Sequence, residues 1–348
     1  MIHDLSSIQT PFSNEIQVDG RRYLYFGGTA YLGIPQNQEF IDLYLRGIKL
    51  FGLNNGTSRN NNIQLGIYND AEKVAAKRYG SEEALITSSG YLAAQLAVQT
   101  LSRAGTLIYA PNTHPALWLN QQPQISCSFK EWKNETIRRL NGSEKKDWVI
   151  ISNSMNNLVP EIYDFSFLNE VDPEKNIVLI IDDSHGIGVN HDGSSAWSVL
   201  PKKRNIECVV LASMAKALGV DAGLILGGQK TISKLKDTNI FAGASPPSAA
   251  GLYAFIHAEL IYQNTWNALQ QNIRFLAENL NSSWQYESSF PAFLIDDPEI
   301  DQYFLKDNIL ISSFPYPDRS SKPINRIVLS SWHETQDIQR LIHSVSKR

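Results

Sequence analysis

The chain has 348 residues, longer than the usual single domain, so two packed lobes or one large domain with a smaller companion are expected. Hydrophobic residues make up 43% and charged residues 19%, which excludes a disordered or fibrous protein, and the net charge of −4 without a dense basic run excludes a footprint for DNA or RNA. The two cysteines, Cys127 and Cys208, lack CxxC spacing, so they give neither a disulfide framework nor a zinc site and fit a reducing cytoplasm.

The opening MIHDLSSIQTPFSNEIQ carries acids and polar residues where a signal peptide needs a basic start and an apolar run, so secretion is not indicated. No apolar stretch approaches the roughly 20 residues of a spanning helix. A helix is predicted over Asn69–Tyr79, closed by Gly80. The strand Ala84–Thr87 follows and turns through Ser88-Ser89-Gly90 into a second helix, Tyr91–Ser102. Further strands are predicted at Thr106–Tyr109, Trp148–Ser152, Ile177–Ile181, Val209–Ala212 and Gly223–Leu226. Several are too apolar to have a wet face, as in a mostly parallel sheet covered on both sides. Beyond about residue 240 the pattern becomes one long amphipathic helix, Ser248–Ile261 continuing towards Asn281, and then a strand-like and helical tail that reads as a smaller α+β domain.

Four segments place chemistry at strand ends, where ligands sit in a parallel sheet. In ALITSSGYLAAQLAV, residues 84–98, the helix N-terminus offers N–H groups to an anion and Gly90 allows close approach, while GxGxxG and P-loop spacings are absent. In IVLIIDDSHGIGVNHDG, residues 177–193, a buried strand runs into Asp182, Asp183 and His185. A solvated strand-end turn accounts for Asp183 but less easily for Asp182, a carboxylate that needs a partner. No further ligand lies at metal spacing, so no metal is expected. In LASMAKALGV, residues 211–220, the strand ends near Ser213 and Lys216 before Gly219 and Gly223. Partial desolvation there lowers a lysine pKa and frees the amine for Schiff-base chemistry, with small neighbours that admit a planar ring. In YAPNTHPAL, residues 109–117, His114 follows a strand; alone it reads as a loop histidine.

In this order the segments resemble the fold-type I pyridoxal-phosphate enzymes, and most of all the α-oxoamine synthase family. FGGTAYLGI at 26–34, NNGTSRNNN at 54–62, TSSGYLAAQLA, NSMNN at 153–157, DDSHGIGV, SMAKALG and RIVLSSWHETQDIQRLI at 326–342 each resemble a family motif, and together they span nearly the whole chain. The resemblance implies a mostly parallel seven-stranded sheet with flanking helices, in a large cofactor domain over 40–240. A small α+β domain would be built from 1–39 and 241–348.

The same resemblance implies pyridoxal 5'-phosphate held by Lys216 as a Schiff base, with Asp182 on the pyridine nitrogen so that the ring acts as an electron sink. His114 would stack on the ring and His185 would contact its 3-oxygen. Ser89, Gly90, Tyr91 and Ser213 would contact the phosphate, and Ser154 would lie near ring and substrate. The implied activity is condensation of an amino acid with an acyl thioester, with decarboxylation, to an α-amino ketone. The implied assembly is a cytoplasmic homodimer with its site at the subunit interface.

Some positions depart from the motifs. Ile63 and Tyr68 stand where the family carries glycine and histidine, although Ser58, Arg59 and Glu72 remain. Ala242 and Gly243 stand in place of the partner-subunit Ser-Thr pair, with Ser245 nearby. LISSFPYP lacks, around Ser313, the arginine that grips an amino-acid carboxylate, for which Arg319 and Arg326 are candidates. An aminotransferase on the same fold, and a non-catalytic relative that keeps it, are the alternative readings.

Overall fold

The computed structural model describes residues 5, 8–316 and 320–347. Its larger sheet contains the strands Glu83–Thr87, Thr106–Tyr109, Asp147–Asn153, Asn176–Asp182, Ile206–Ser213 and Gly223–Gly227. These match the apolar runs read from sequence to within three residues at each end, because burial on both faces selects continuous Val, Ile and Leu. In space the strand beginning at residue 83 is followed by those beginning at 223, 206, 176, 147 and 106. Pairing is parallel from Thr106–Tyr109 across to Ile206–Ser213, and Gly223–Gly227 runs antiparallel to both its neighbours. The sheet thus has six strands among the described residues rather than the expected seven. Beyond Thr106–Tyr109 the chain at residues 120–127 is irregular, with no strand to extend that edge.

The turn between strand and helix at residues 87–90 is tightly fixed. Ser89 caps the helix Gly90–Leu101, its hydroxyl accepting the Leu92 N–H at 3.1 Å, and the Thr87 hydroxyl donates to the Ser89 carbonyl at 2.9 Å. The helix Ile67–Tyr79 ends on Gly80 in the left-handed region at φ 72°, which glycine adopts without strain.

A second six-stranded sheet joins the two ends of the chain. The strand Arg21–Phe26 pairs with Glu15–Val18 on one side and, in parallel, with Ile309–Pro315 on the other, Leu24 opposite Ile309. Ile309–Pro315 in turn pairs antiparallel with Pro323–Val328, setting Ser312 opposite Arg326. The long helix expected from Ser248 towards Asn281 is two helices, Ala249–His257 and Glu259–Ala277, broken at Ala258. The first lies against the helix Gln38–Phe51 so closely that a Cβ on Gly47 would stand 2.7 Å from the Ala250 Cα, a crossing that fixes its direction independently of the second.

Candidate active site

The strand ends converge on one hollow. Asp182 closes its strand with Oδ1 accepting the Ser184 N–H at 2.9 Å, and Ser184 Oγ accepts the Ser213 N–H at 2.8 Å, which ties two neighbouring strand ends together. After Ser213 the loop folds back, Met214 N–H to the Ala222 carbonyl, and presents Lys216. Lys216 Nζ lies 2.8 Å from His185 Nε2, and His185 Nδ1 lies 2.7 Å from the Tyr31 hydroxyl.

Burial lowers the Lys216 pKa to about 8, with Asp182 pulling it back up and the positive Arg326 pushing it further down. Burial, helped by the cations Lys216 and Arg326, holds His185 well below its ordinary value, so the ring is neutral. A protonated Lys216 then donates to Nε2, which leaves the ring proton on Nδ1, facing Tyr31. His114 is also neutral, lowered by burial first, and its Nδ1 accepts the Ala116 N–H at 3.1 Å, so its proton sits on Nε2.

Lys216, Asp182, His185, His114, Gly90, Tyr91 and Ser213 all line a single cavity of about 200 Å³. Ser89 and Ser154 are not in its wall: the Ser89 hydroxyl caps the helix, and Ser154 is buried with its peptide N–H on the Asp182 carbonyl. Asp183 is fully buried, which corrects the solvated turn expected for it. Adjacent side chains of a strand end project to opposite faces, and this one points into the core, Oδ2 accepting the Ala196 N–H at 2.8 Å.

Three further residues reach this region: Arg326, a carboxylate candidate, and Tyr31 and Asn153, which lie in motif-like segments without a role read for either. Tyr31 is held where the segment 30–33 docks on 330–331, the Ser330 hydroxyl donating to the Ala30 carbonyl. Asn153 clamps the His114 loop, accepting the His114 N–H at 3.1 Å and donating to the Asn112 carbonyl at 2.7 Å. Arg326 arrives from the smaller sheet and donates from Nη1 to the carbonyl of Asn157, a cavity residue. Ser313, near which the arginine is missing, lies on the wall of a different groove, and the other carboxylate candidate, Arg319, lies outside the described residues. Among the described residues no group of three His, Cys, Asp or Glu side chains could hold a metal ion, and no helix is long and apolar enough to cross a membrane.

The sequence from residue 30 to 345 matches the family model for aminotransferase class I and II. The chain belongs to that family. It is 22% identical to the 8-amino-7-oxononanoate synthase of Vibrio campbellii over 84% of this chain and 79% of that protein. It is 24% identical to a putative 8-amino-7-oxononanoate synthase of Thermodesulfovibrio yellowstonii over 98% and 92%. Among solved structures it superposes on Sphingomonas wittichii serine palmitoyltransferase with a TM-score of 0.81 at 16% identity, covering 98% of this chain and 91% of that one. The Francisella tularensis 8-amino-7-oxononanoate synthase gives 0.69 at 19% identity, covering 93% and 97%. These likenesses show the fold of the fold-type I transferases, and the cofactor of the aminotransferase class I and II family to which the chain belongs is pyridoxal phosphate.

The residues present fit that cofactor. An amine with a lowered pKa, a carboxylate and a neutral imidazole surround one cavity. Its far wall is a helix N-terminus where Ser89 takes the N–H groups of Leu92 and Ala93, leaving those of Gly90 and Tyr91 for a phosphate. A Cβ on Gly90 would stand 2.5 Å from Ser213 Cβ and 2.7 Å from Ser213 Cα, so only glycine brings these two turns this close.

Proposed function

We propose that the chain is an acyltransferase that condenses an amino acid with an acyl thioester, releasing carbon dioxide and forming an α-amino ketone. The observation that carries this reading is Lys216, held by His185 beside Asp182 in the cavity. Its 8-amino-7-oxononanoate synthase relatives support the same chemistry.

Pyridoxal phosphate, when bound, supplies an aldehyde that captures amines and a ring that draws electrons from the substrate's α-carbon. The chain would hold it through Lys216, through Asp182 at the ring nitrogen, and through Gly90, Tyr91 and Ser213 at the phosphate. His114, neutral and fixed by Ala116 and Asn153, would lie against the ring. Lys216 Nζ is the base in this reading: a pKa near neutrality lets it take the α-proton and return it at the physiological pH where an ordinary lysine stays protonated. Tyr31 and His185 hold that amine in place while it does so. Leu53 and Ile63, 79% and 76% exposed, and a cleft of about 580 Å³ lined by Ser58 and Ser245 support assembly as a homodimer through this face.

The test is to supply amino acids with acyl-CoAs and measure thiol release together with the ketone, in the wild type and in Lys216→Ala. Thiol release that needs both substrates and Lys216 supports the reading. Amino transfer to a keto acid with no thiol release would replace it with an aminotransferase, and failure to take up pyridoxal phosphate would replace it with a non-catalytic relative.

A further inference from the structure

We propose that Arg326 receives the carboxylate of the amino acid, in place of an arginine on the neighbouring strand. This rests on the amino-acid-dependent reading above.

Arg326 sits in the strand Pro323–Val328, directly opposite Ser312, and residues opposite one another in an antiparallel pair project from the same face. The face of the sheet that carries the Ser312 hydroxyl therefore carries Arg326 one strand further on, next to the segment that lacks an arginine around Ser313. At 312 only a short hydroxyl is present, and it accepts the Gly28 N–H at 3.3 Å.

The guanidinium is buried, the residue being 7% exposed, and packs 5.3 Å from the Phe314 ring. Nη1 reaches the carbonyl of cavity residue Asn157, and Nε has no partner. Among the described residues no carboxylate pairs with it. The other two arginines whose side chains are largely buried do have one: Arg59 meets Glu72 at 3.1 Å and Arg78 meets Glu259 at 3.7 Å. A buried cation without an anion is unfavourable, and a guanidinium does not escape by losing its proton. Its field is felt at Lys216, His185 and Tyr31, the groups that would surround a bound amino group. A carboxylate one carbon from that amine supplies the missing charge, and the fork of the guanidinium suits it.

The experiment follows the absorbance of the cofactor-loaded protein on titration with three pairs: glycine and methylamine, L-alanine and ethylamine, L-serine and ethanolamine. Each pair differs only by the carboxylate. The wild type is expected to bind at least one amino acid tenfold or more tightly than its amine. Arg326→Gln should remove that preference by weakening the amino acid and leaving the amine within twofold; Arg326→Lys, which keeps the charge and loses the fork, should fall between. Thermal melts of the cofactor-free chain give a second readout: propionate should raise the wild-type midpoint and leave Arg326→Gln unmoved. If Arg326→Gln melts far below the wild type, Arg326→Lys and the wild-type pairs carry the test. Equal affinity for amino acid and amine in the wild type, or a preference unchanged in both variants, overturns the assignment of Arg326. A wild type that takes up no cofactor, or responds to none of the six compounds, overturns the proposed function and this assignment with it.

Discussion

Lys216 Nζ and His185 Nε2 stand 2.8 Å apart: burial and the lysine's charge keep the imidazole neutral, while burial, opposed by Asp182 and aided by Arg326, brings the amine to about 8. Between pH 8 and the ordinary 10.5 the unfolded chain therefore holds a proton at Lys216 that the folded chain has lost. The folded state is penalised fully below pH 8 and gains stability as pH rises through that window. Lys216→Met should make the cofactor-free chain more stable at pH 7, by about 2 kcal/mol, and flatten the rise between pH 8 and 10.5 in denaturant titrations.

Asp183 has the opposite sign. Burial raises its carboxyl pKa to about 7 from an unfolded value of 3.8, so between these limits the folded chain holds the extra proton and stability falls as pH rises. Above pH 7 the cost is fully present. Asp183→Asn keeps an oxygen for the Ala196 N–H and should remove the fall, stabilising the protein at pH 8 by about 2–4 kcal/mol with little change at pH 4, as read from urea midpoints.

Gly90→Ala places a methyl group 2.5 Å from Ser213 Cβ. One of the two turns must move, and both would face the phosphate. Equilibrium dialysis should show cofactor affinity reduced at least tenfold, while circular dichroism keeps the wild-type helix content.

Glu72 is a buried carboxylate that meets Arg59 at 3.1 Å and Lys236 at 2.8 Å and accepts the Ile86 N–H at 3.1 Å. Tyr68 and Phe241 hold the Arg59 guanidinium between their rings, which gives Tyr68 a role where the family carries histidine. Glu72→Ala leaves two cations and a strand N–H uncompensated, and should lower stability by about 3–5 kcal/mol in chemical denaturation.

The central strands were readable because continuous apolar runs have one use in a covered sheet, and the residues that follow them, Asp182, His185, Ser213 and Lys216, were readable because titratable groups at such ends meet. The roles of Tyr31 and Asn153 were not, and Arg326 stood only as one of two candidates for a carboxylate, with no place in the site. Each reaches the site through contacts far away in sequence, such as Tyr31 to His185 across 154 positions, and neither tyrosine nor arginine on an unremarkable strand or loop signals such a meeting. Asp183 departs from the solvated strand-end turn expected for it because the turn through Ala196 covers it. The break at Ala258 has no proline or glycine to announce it; it follows from the packing of Ala249–His257 on Gln38–Phe51.

The parallel pairing of Arg21–Phe26 with Ile309–Pro315 also orders events in time. On the ribosome the strand Arg21–Phe26 emerges early and finds its partner only once Ile309–Pro315 has been made, a loop closure across more than 280 residues. The hollow around Lys216 can form from central strands before that, but Tyr31, just after the N-terminal strand, and Arg326, two strands from it in the same sheet, take their places last. A chain lacking Ile309–Val328 would thus carry the reactive amine without the contacts that seat Tyr31 and Arg326 beside it.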